Sequence, residues 1–271
     1  MTEGLEEALH ERILLLDGAF ATAIDLPAEQ VRTGYESLVL SHPDAVGALH
    51  ARYISAGADI ITTDTFLADC SSLARYGLER RSLDIAARAT EIACDAAAQS
   101  VRKCFVFGSL HPIDSDSHTH QIEGLLAGGA DAILLETICD TAPLTDIIRT
   151  IRRRSSWIPI IASATATHLP DAEQFYRALP ADELLAVGYN CSDGAESIAR
   201  QAEWLGANAQ CATIFYPNTG AKGASPAEFS EVMERYLQQR LCNIVGGCCG
   251  TTPEHTAELR TKIDGYATRL V

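Results

Sequence analysis

Residues 131–163 read DAILLETICDTAPLTDIIRTIRRRSSWIPIIAS. Two short apolar runs, DAILLET at 131 and IPIIAS at 158, begin 27 residues apart, with a helical pattern between them. A strand, a loop, a helix and a second loop fit into about 25–30 residues, as a parallel crossover requires. Near-continuous apolar strands also imply burial on both faces, the habit of parallel sheets.

Outward from this unit the same pattern recurs. Comparable runs begin at Ile13 (ILLLDG), Ala58 (ADIITT), Lys103 (KCFVFGS), Leu184 (LLAVGYN), Cys211 (CATIFYP) and Leu241 (LCNIVGG). Segments 43–56, 82–101 and 195–205 read as amphipathic helices. After the last run, Thr252-Pro253-Glu254 offers a candidate N-cap, a proline at the first helical position and an acid in the first turn. Eight strand–helix units with no break in composition predict an α/β chain with one domain over 1–271, a (β/α)8 TIM barrel. A doubly wound open sheet is the competing arrangement. Residues 18–42 and 63–80 are too long for simple turns and are expected to lie as loops or short helices over the C-terminal mouth, where barrel active sites are built.

The 271 residues are 47% hydrophobic and 21% charged, which suits a chain with a sizeable core. Lys and Arg number 21 against 36 Asp and Glu, for a formal net charge of −15. Such a balance argues against nucleic acid, whose binding draws on clustered cations. The opening MTEGLEEALHER has neither a basic start nor an apolar core, so it does not read as a signal peptide. No apolar run approaches the ~18 residues of a membrane span. Nine cysteines, an odd number and few for this length, fit free thiols in the cytoplasm.

With the strands placed, their C-terminal ends carry Asp17-Gly18, Thr63-Asp64-Thr65, Ser109, Glu136-Thr137, Asn190-Cys191, Tyr216-Pro217-Asn218 and Gly247-Cys248-Cys249-Gly250. Three cysteines, Cys191, Cys248 and Cys249, therefore converge on the mouth. Neighbours on a regular strand point to opposite faces, so Cys248 and Cys249 share one ion only where the backbone turns. Gly246, Gly247 and Gly250 supply the freedom for that. Three thiolates with one exchangeable position make a catalytic zinc site, and thiolates favour zinc over hard metals. Two bland readings compete: the vicinal pair as small buried residues, and the glycine-rich run as a phosphate site at a helix N-terminus. The second leaves the cysteines unexplained and has no Lys or Arg nearby.

Cys104, Cys211 and Cys242 read as small core residues, and Cys70 and Cys94 have no ligand-like neighbours. Cys139 is close enough to Glu136 to approach the mouth. His111, His118 and His120 read as a solvated loop group and are assigned no metal. Phe20, Phe66, Tyr189 and Tyr216 are the aromatic residues expected near the mouth, with Trp157 and Trp204 elsewhere.

The segments LLLDGA (14–19), ESLVLSHPDAV (36–46), AGADIITTDTF (56–66), IEGLLAGGADAILLETICDT (122–141), VGYNC (187–191), YPNTG (216–220) and NIVGGCCGTTPEH (243–255) carry a further reading. In that order they resemble the homocysteine S-methyltransferase family, and within it the homocysteine-binding module of cobalamin-dependent methionine synthase. The resemblance implies a (β/α)8 barrel that holds Zn2+ through Cys191, Cys248 and Cys249 and methylates the thiol of L-homocysteine to give methionine. It implies that Asp17 and Glu136 help hold homocysteine, with the backbone of Gly18, Ala19 and Phe20 near its carboxylate and Asp64 and Asn190 at the pocket.

This chain departs from the family pattern in places. DGAMGT is DGAFAT here, E-T-N-T-F is TTDTF with Thr62 and Asp64 at the Glu and Asn positions, and S-I-G-P is Ser109-Leu110-His111-Pro112. The segments after the third, fifth and seventh strands look shortened.

A free thiol near pKa 8.5 is mostly protonated at neutral pH, and a metal removes that proton. Three protein thiolates leave the site net negative, which keeps a bound substrate sulfur nucleophilic. Asp17 and Glu136 are acceptors suited to an ammonium, or alternatively strand-end caps. No D-x-H-x-x-G cobalamin motif is present, so a corrinoid donor would arrive on a separate protein. The other donor class is an onium such as betaine or S-methylmethionine. Alternatives of another kind are a zinc-containing thiol-binding or regulatory protein without transfer activity, and methylation of a different thiol.

Overall fold

A computed structural model describes residues 4–114 and 116–270, so the first three residues of the acidic N-terminus lie outside it. Strands form at all eight apolar runs: β1 Leu14–Leu15, β2 Ile60–Thr62, β3 Phe105–Leu110, β4 Ala132–Ile138, β5 Ile160–Ala164, β6 Ala186–Cys191, β7 Ala212–Pro217 and β8 Ile244–Val245. All pairings are parallel, in the order β1-β8-β7-β6-β5-β4-β3-β2. A bridge between Leu16 and Ile60 joins the two ends. There the Asp59 N–H meets Leu15 O at 2.7 Å and the Asp17 N–H meets Ile60 O at 2.9 Å. The sheet is thus a (β/α)8 barrel and not an open, doubly wound one.

Strand parity sorts the side chains into two layers. On β4, Ala132 and Leu134 belong to the inner core with Leu14, Phe107 and Ile214, while Ile133 and Leu135 pack outward against the helices. The N-terminal helix Leu5–Glu11 adds Leu5, Ala8 and Leu9 to the inner core and so closes the bottom. Continuing each alternation upward places Ser109 after Phe107, Glu136 after Leu134 and Tyr216 after Ile214. One polar layer results at the top of the inner core.

Helices Pro43–Ser55 and Ser82–Ala98 fall where the amphipathic pattern put them. The 195–205 segment instead starts as a 3-10 turn, Ala195–Ile198, before the α-helix Ala199–Asn208. Helix Pro253–Ile263 begins at its proline with Thr252 as N-cap, and His255 Nδ1 accepts the Thr252 N–H at 3.2 Å in a capping box. Residues 18–42 and 63–80 form turns and short helices, and residues 18–22, Tyr35, Glu36 and 63–67 among them line the mouth. Among the described residues no helix is long and apolar enough to cross a membrane.

Candidate metal and substrate site

The three mouth cysteines come together. Cys191 Sγ lies 3.0 Å from Cys248 Sγ, Cys248 Sγ lies 4.0 Å from Cys249 Sγ, and all three fall within 4.8 Å of one another. Different backbone devices bring them there. Outward parity on β6 would turn Cys191 away, like Val187 and Tyr189, but Cys191 and Ser192 adopt left-handed φ of 50° and 64°. Non-glycine residues rarely sit there, and the cost is about 1–3 kcal/mol each.

After β8 the chain leaves the sheet, with the Gly247 N–H on Asp17 O at 3.2 Å and the Cys248 N–H on Pro217 O at 2.9 Å. Of the glycines around the cysteine pair only Gly250 has positive φ, 85°. Gly247 is needed for a different reason from the one expected: a Cβ there would lie 2.5 Å from Thr251.

This donor set fits zinc. Sulfurs at a zinc–sulfur distance near 2.3 Å stand about 3.8 Å apart in a tetrahedron, close to the spacing here. Among the described residues no other His, Cys, Asp or Glu group is close enough to hold a metal. The crowding also polarises the thiols. Hydrogen bonds from Cys191 and Cys248 hold Cys249 well below the usual thiol range, and contacts with Cys191 and Cys249 push Cys248 up.

Beside the sulfurs lies a cavity of about 430 Å³. Asp17, Gly18, Ala19, Phe20, Asp64, Glu136 and the three cysteines all line it, and among the described residues no Lys, Arg or His does. Glu136 accepts a short hydrogen bond from the Ser109 hydroxyl and one of 3.2 Å from Tyr216. Burial raises its pKa to about 7 against those two bonds. Asp17 accepts the Thr62 N–H at 2.8 Å and the Thr62 hydroxyl at 3.1 Å, and burial raises it as well. Asp17 therefore caps the end of β2 and faces the cavity at once.

The backbone after Asp17 is held from behind. The Tyr53 hydroxyl donates to Ala19 O at 2.7 Å, and the Ala19 N–H donates to Thr251 Oγ1 at 3.1 Å. Ala19 lines the cavity but its amide is engaged, unlike those of Gly18 and Phe20, which have no partner among the described residues.

Asn190 is placed differently from its expected role. It is fully buried behind the wall, where its Oδ1 accepts the Thr137 N–H and the Ser163 hydroxyl, both at 2.9 Å, and its Nδ2 donates to Thr137 Oγ1 at 2.8 Å. It holds Thr137 at φ 54°, a costly conformation for a β-branched residue, directly after Glu136.

Tyr189 is also absent from the cavity, packed on Phe175 with its hydroxyl on Leu169 O. Cys139 bonds to Thr137 O at 3.3 Å and stays outside the sulfur cluster. The three histidines are not a solvated group: His118 is fully buried on Gln121, His111 stacks on Phe66 at 4.8 Å, and only His120 is exposed. Tyr35, Glu36 and Thr62 line the cavity without having been singled out as pocket residues. Glu36 opens the ESLVLSHP segment, which was the available signal.

The chain is thus a closed (β/α)8 barrel with a three-sulfur cluster and buried carboxyls at its mouth. The sequence matches the homocysteine S-methyltransferase family over residues 14–263, and the chain belongs to that family. It is 32% identical over 302 aligned residues to the methionine synthase of Mycobacterium tuberculosis and 30% to that of Mycobacterium leprae, in each case over 96% of this chain. The chain spans only 25% of the length of those relatives. In fold it is similar to the homocysteine methyltransferase MmuM of Escherichia coli. The oxidized form superposes at TM-score 0.76 with 22% identity, over 92% of this chain and 95% of that one. The metallated form gives 0.75 with 22% identity, over 93% and 96%.

Proposed function

We propose that this chain, as one homocysteine-binding barrel over 1–271, transfers a methyl group to the thiol of L-homocysteine and releases methionine. The observation that carries the reading is the meeting of Cys191, Cys248 and Cys249 beside a cavity that also holds Glu136 and Asp17. The three cysteines would hold Zn2+. Bound there, zinc supplies the positive charge that lets an acceptor thiol lose its proton near neutral pH.

The chain's own groups bind and orient. Glu136, kept in place by Ser109 and Tyr216, and Asp17, kept by Thr62, accept from the substrate ammonium. An ammonium beside Glu136 favours its ionised form against the effect of burial. The Gly18 and Phe20 N–H groups face the substrate carboxylate.

The donor is either a protein-bound methylcorrinoid or a small onium compound. Zinc-loaded protein incubated with homocysteine and a panel of methyl donors should form methionine with at least one. A panel of other thiols in the same assay tests the acceptor. Full zinc occupancy with no transfer from any donor to any thiol would leave a thiol-binding protein without transfer activity.

A further inference from the structure

A buried residue with no part in that reading sits between its two halves. Asn190 adjoins Cys191 in the chain and grips Thr137, which adjoins Glu136. The grip falls on an irregular step of β4. Leu135 pairs with Ala162 of β5 and Ile138 with Ala164, so β4 advances three residues while β5 advances two. Such a bulge resets the alternation of faces and re-aims side chains. Ile138 accordingly packs in the outer layer with Ile133 and Leu135, while Glu136 and Thr137 both line the cavity. At the bulge the Thr137 N–H turns to Asn190 Oδ1 at 2.9 Å, and that buried bond helps to hold φ at 54°.

The donors along this contact run in one direction. A backbone N–H can only donate, so the amide oxygen of Asn190 faces it and the NH2 faces Thr137 Oγ1 at 2.8 Å. The Ser163 hydroxyl donates to the same amide oxygen at 2.9 Å and fixes the amide from a second side. Thr137 Oγ1 accepts from Asn190, which leaves the hydroxyl proton for Cys191 Sγ at 4.0 Å. Three thiolates on one zinc make the site net negative, and a donor beside one of them offsets that charge. Hydrogen bonds to the ligands of a metal also fix their orientation.

We propose that Asn190 is a positioning residue that couples the metal and acceptor halves of the site through Thr137. On one side it keeps the bulge that aims Glu136 into the cavity. On the other it turns the Thr137 hydroxyl toward the Cys191 sulfur. The acceptor half rests on the reading that Glu136 holds the homocysteine ammonium. The metal half rests only on the three cysteines holding zinc.

Chelator competition without homocysteine tests the metal half. Thr137→Val removes the hydroxyl but keeps the N–H and a β-branched side chain, and should weaken zinc by about 10–100-fold. Thr137→Ser restores the donor and should bind zinc as the wild type does. In Co2+-loaded protein, the sulfur-to-cobalt charge-transfer band should shift to lower energy in Thr137→Val and not in Thr137→Ser. Asn190→Ala releases Thr137 and should weaken both ligands. Its homocysteine affinity, read by calorimetry at full zinc loading, should fall roughly tenfold or more, with thermal melting to confirm folding. Asn190→Ser repeats the measurement should the alanine variant not fold.

Wild-type zinc affinity in Thr137→Val, or an equal loss in Thr137→Ser, would overturn the proposal. So would unchanged homocysteine affinity in folded, zinc-loaded Asn190→Ala. If the wild type itself binds no homocysteine while Thr137→Val still weakens zinc, the methyl-transfer reading falls and the metal half of the coupling stands.

Discussion

At the bottom of the barrel, Leu5, Ala8 and Leu9 share one apolar cluster with Leu14, Phe105 and Ala132, and the strands there are regular. At the mouth, Thr137, Cys191 and Ser192 hold left-handed φ values between 50° and 64°, and four carboxyls face one cavity. Arg240, at the end of a helix, is the remaining described non-glycine residue with positive φ. Strain and buried charge are thus concentrated at the end that handles ligands. The opposite end is free to pack for stability.

Substitutions at the two ends should therefore fail in different ways. The largest effect is expected from Cys248→Ala with Cys249→Ala. Metal analysis should fall from about one zinc per chain to none, while the melting temperature changes little, since Cys191 and Cys249 lie outside the inner core and Cys248 only packs against its edge. Retention of full zinc would remove the metal assignment. Phe107→Ala, in the inner core, should cost about 3–5 kcal/mol in urea unfolding and leave the zinc content of the folded fraction intact. A loss of zinc in step with mild destabilisation would show that the two ends are not independent.

Glu136→Gln lies between these extremes. Loss of a charged hydrogen bond to the substrate ammonium should weaken homocysteine by roughly 10–150-fold, from about 1.5–3 kcal/mol, with zinc unchanged. Equal affinity would make Glu136 a structural acceptor for Ser109 and Tyr216.

The same variant sharpens the comparison through pH. Burial raises Glu136 from an ordinary 4.5 to about 7, so the folded chain holds that proton more tightly than the unfolded chain does. The resulting stability is fully present below about 4.5 and is lost as pH rises through about 7. Asp17, Glu36 and Asp64, also raised by burial, act in the same direction. Unfolding free energies across that window should decline in the wild type and decline less in Glu136→Gln. The smallest effect is expected from Cys139→Ser, which should leave zinc content and homocysteine binding as they are. A fall in zinc would bring that thiol into the cluster.

Much of the fold and part of the site were legible in the chain itself. Apolar runs at 26–30-residue spacing mark the later strands because a parallel strand buried on both faces has few positions left for polar residues. The period of two then carries Ser109, Glu136 and Tyr216 into one inner layer, because backbone pleating alone decides which face each residue takes. Cys191, Cys248 and Cys249 were visible as residue types at strand ends, where barrels collect their chemistry.

Parity could not decide what happens once a strand ends. It turns Asn190 inward and Cys191 outward, yet the left-handed turn at Cys191 and Ser192 delivers the sulfur to the mouth, while Thr137 and Ser163 occupy Asn190. Nor could the sequence show that Thr251 takes the Ala19 amide, a contact across 232 residues, or that Glu36 reaches the cavity. Strands are set by local periodicity, which a single segment carries. The wall of the mouth is set by hydrogen bonds between loops far apart in the chain, and these exist only once the barrel has closed.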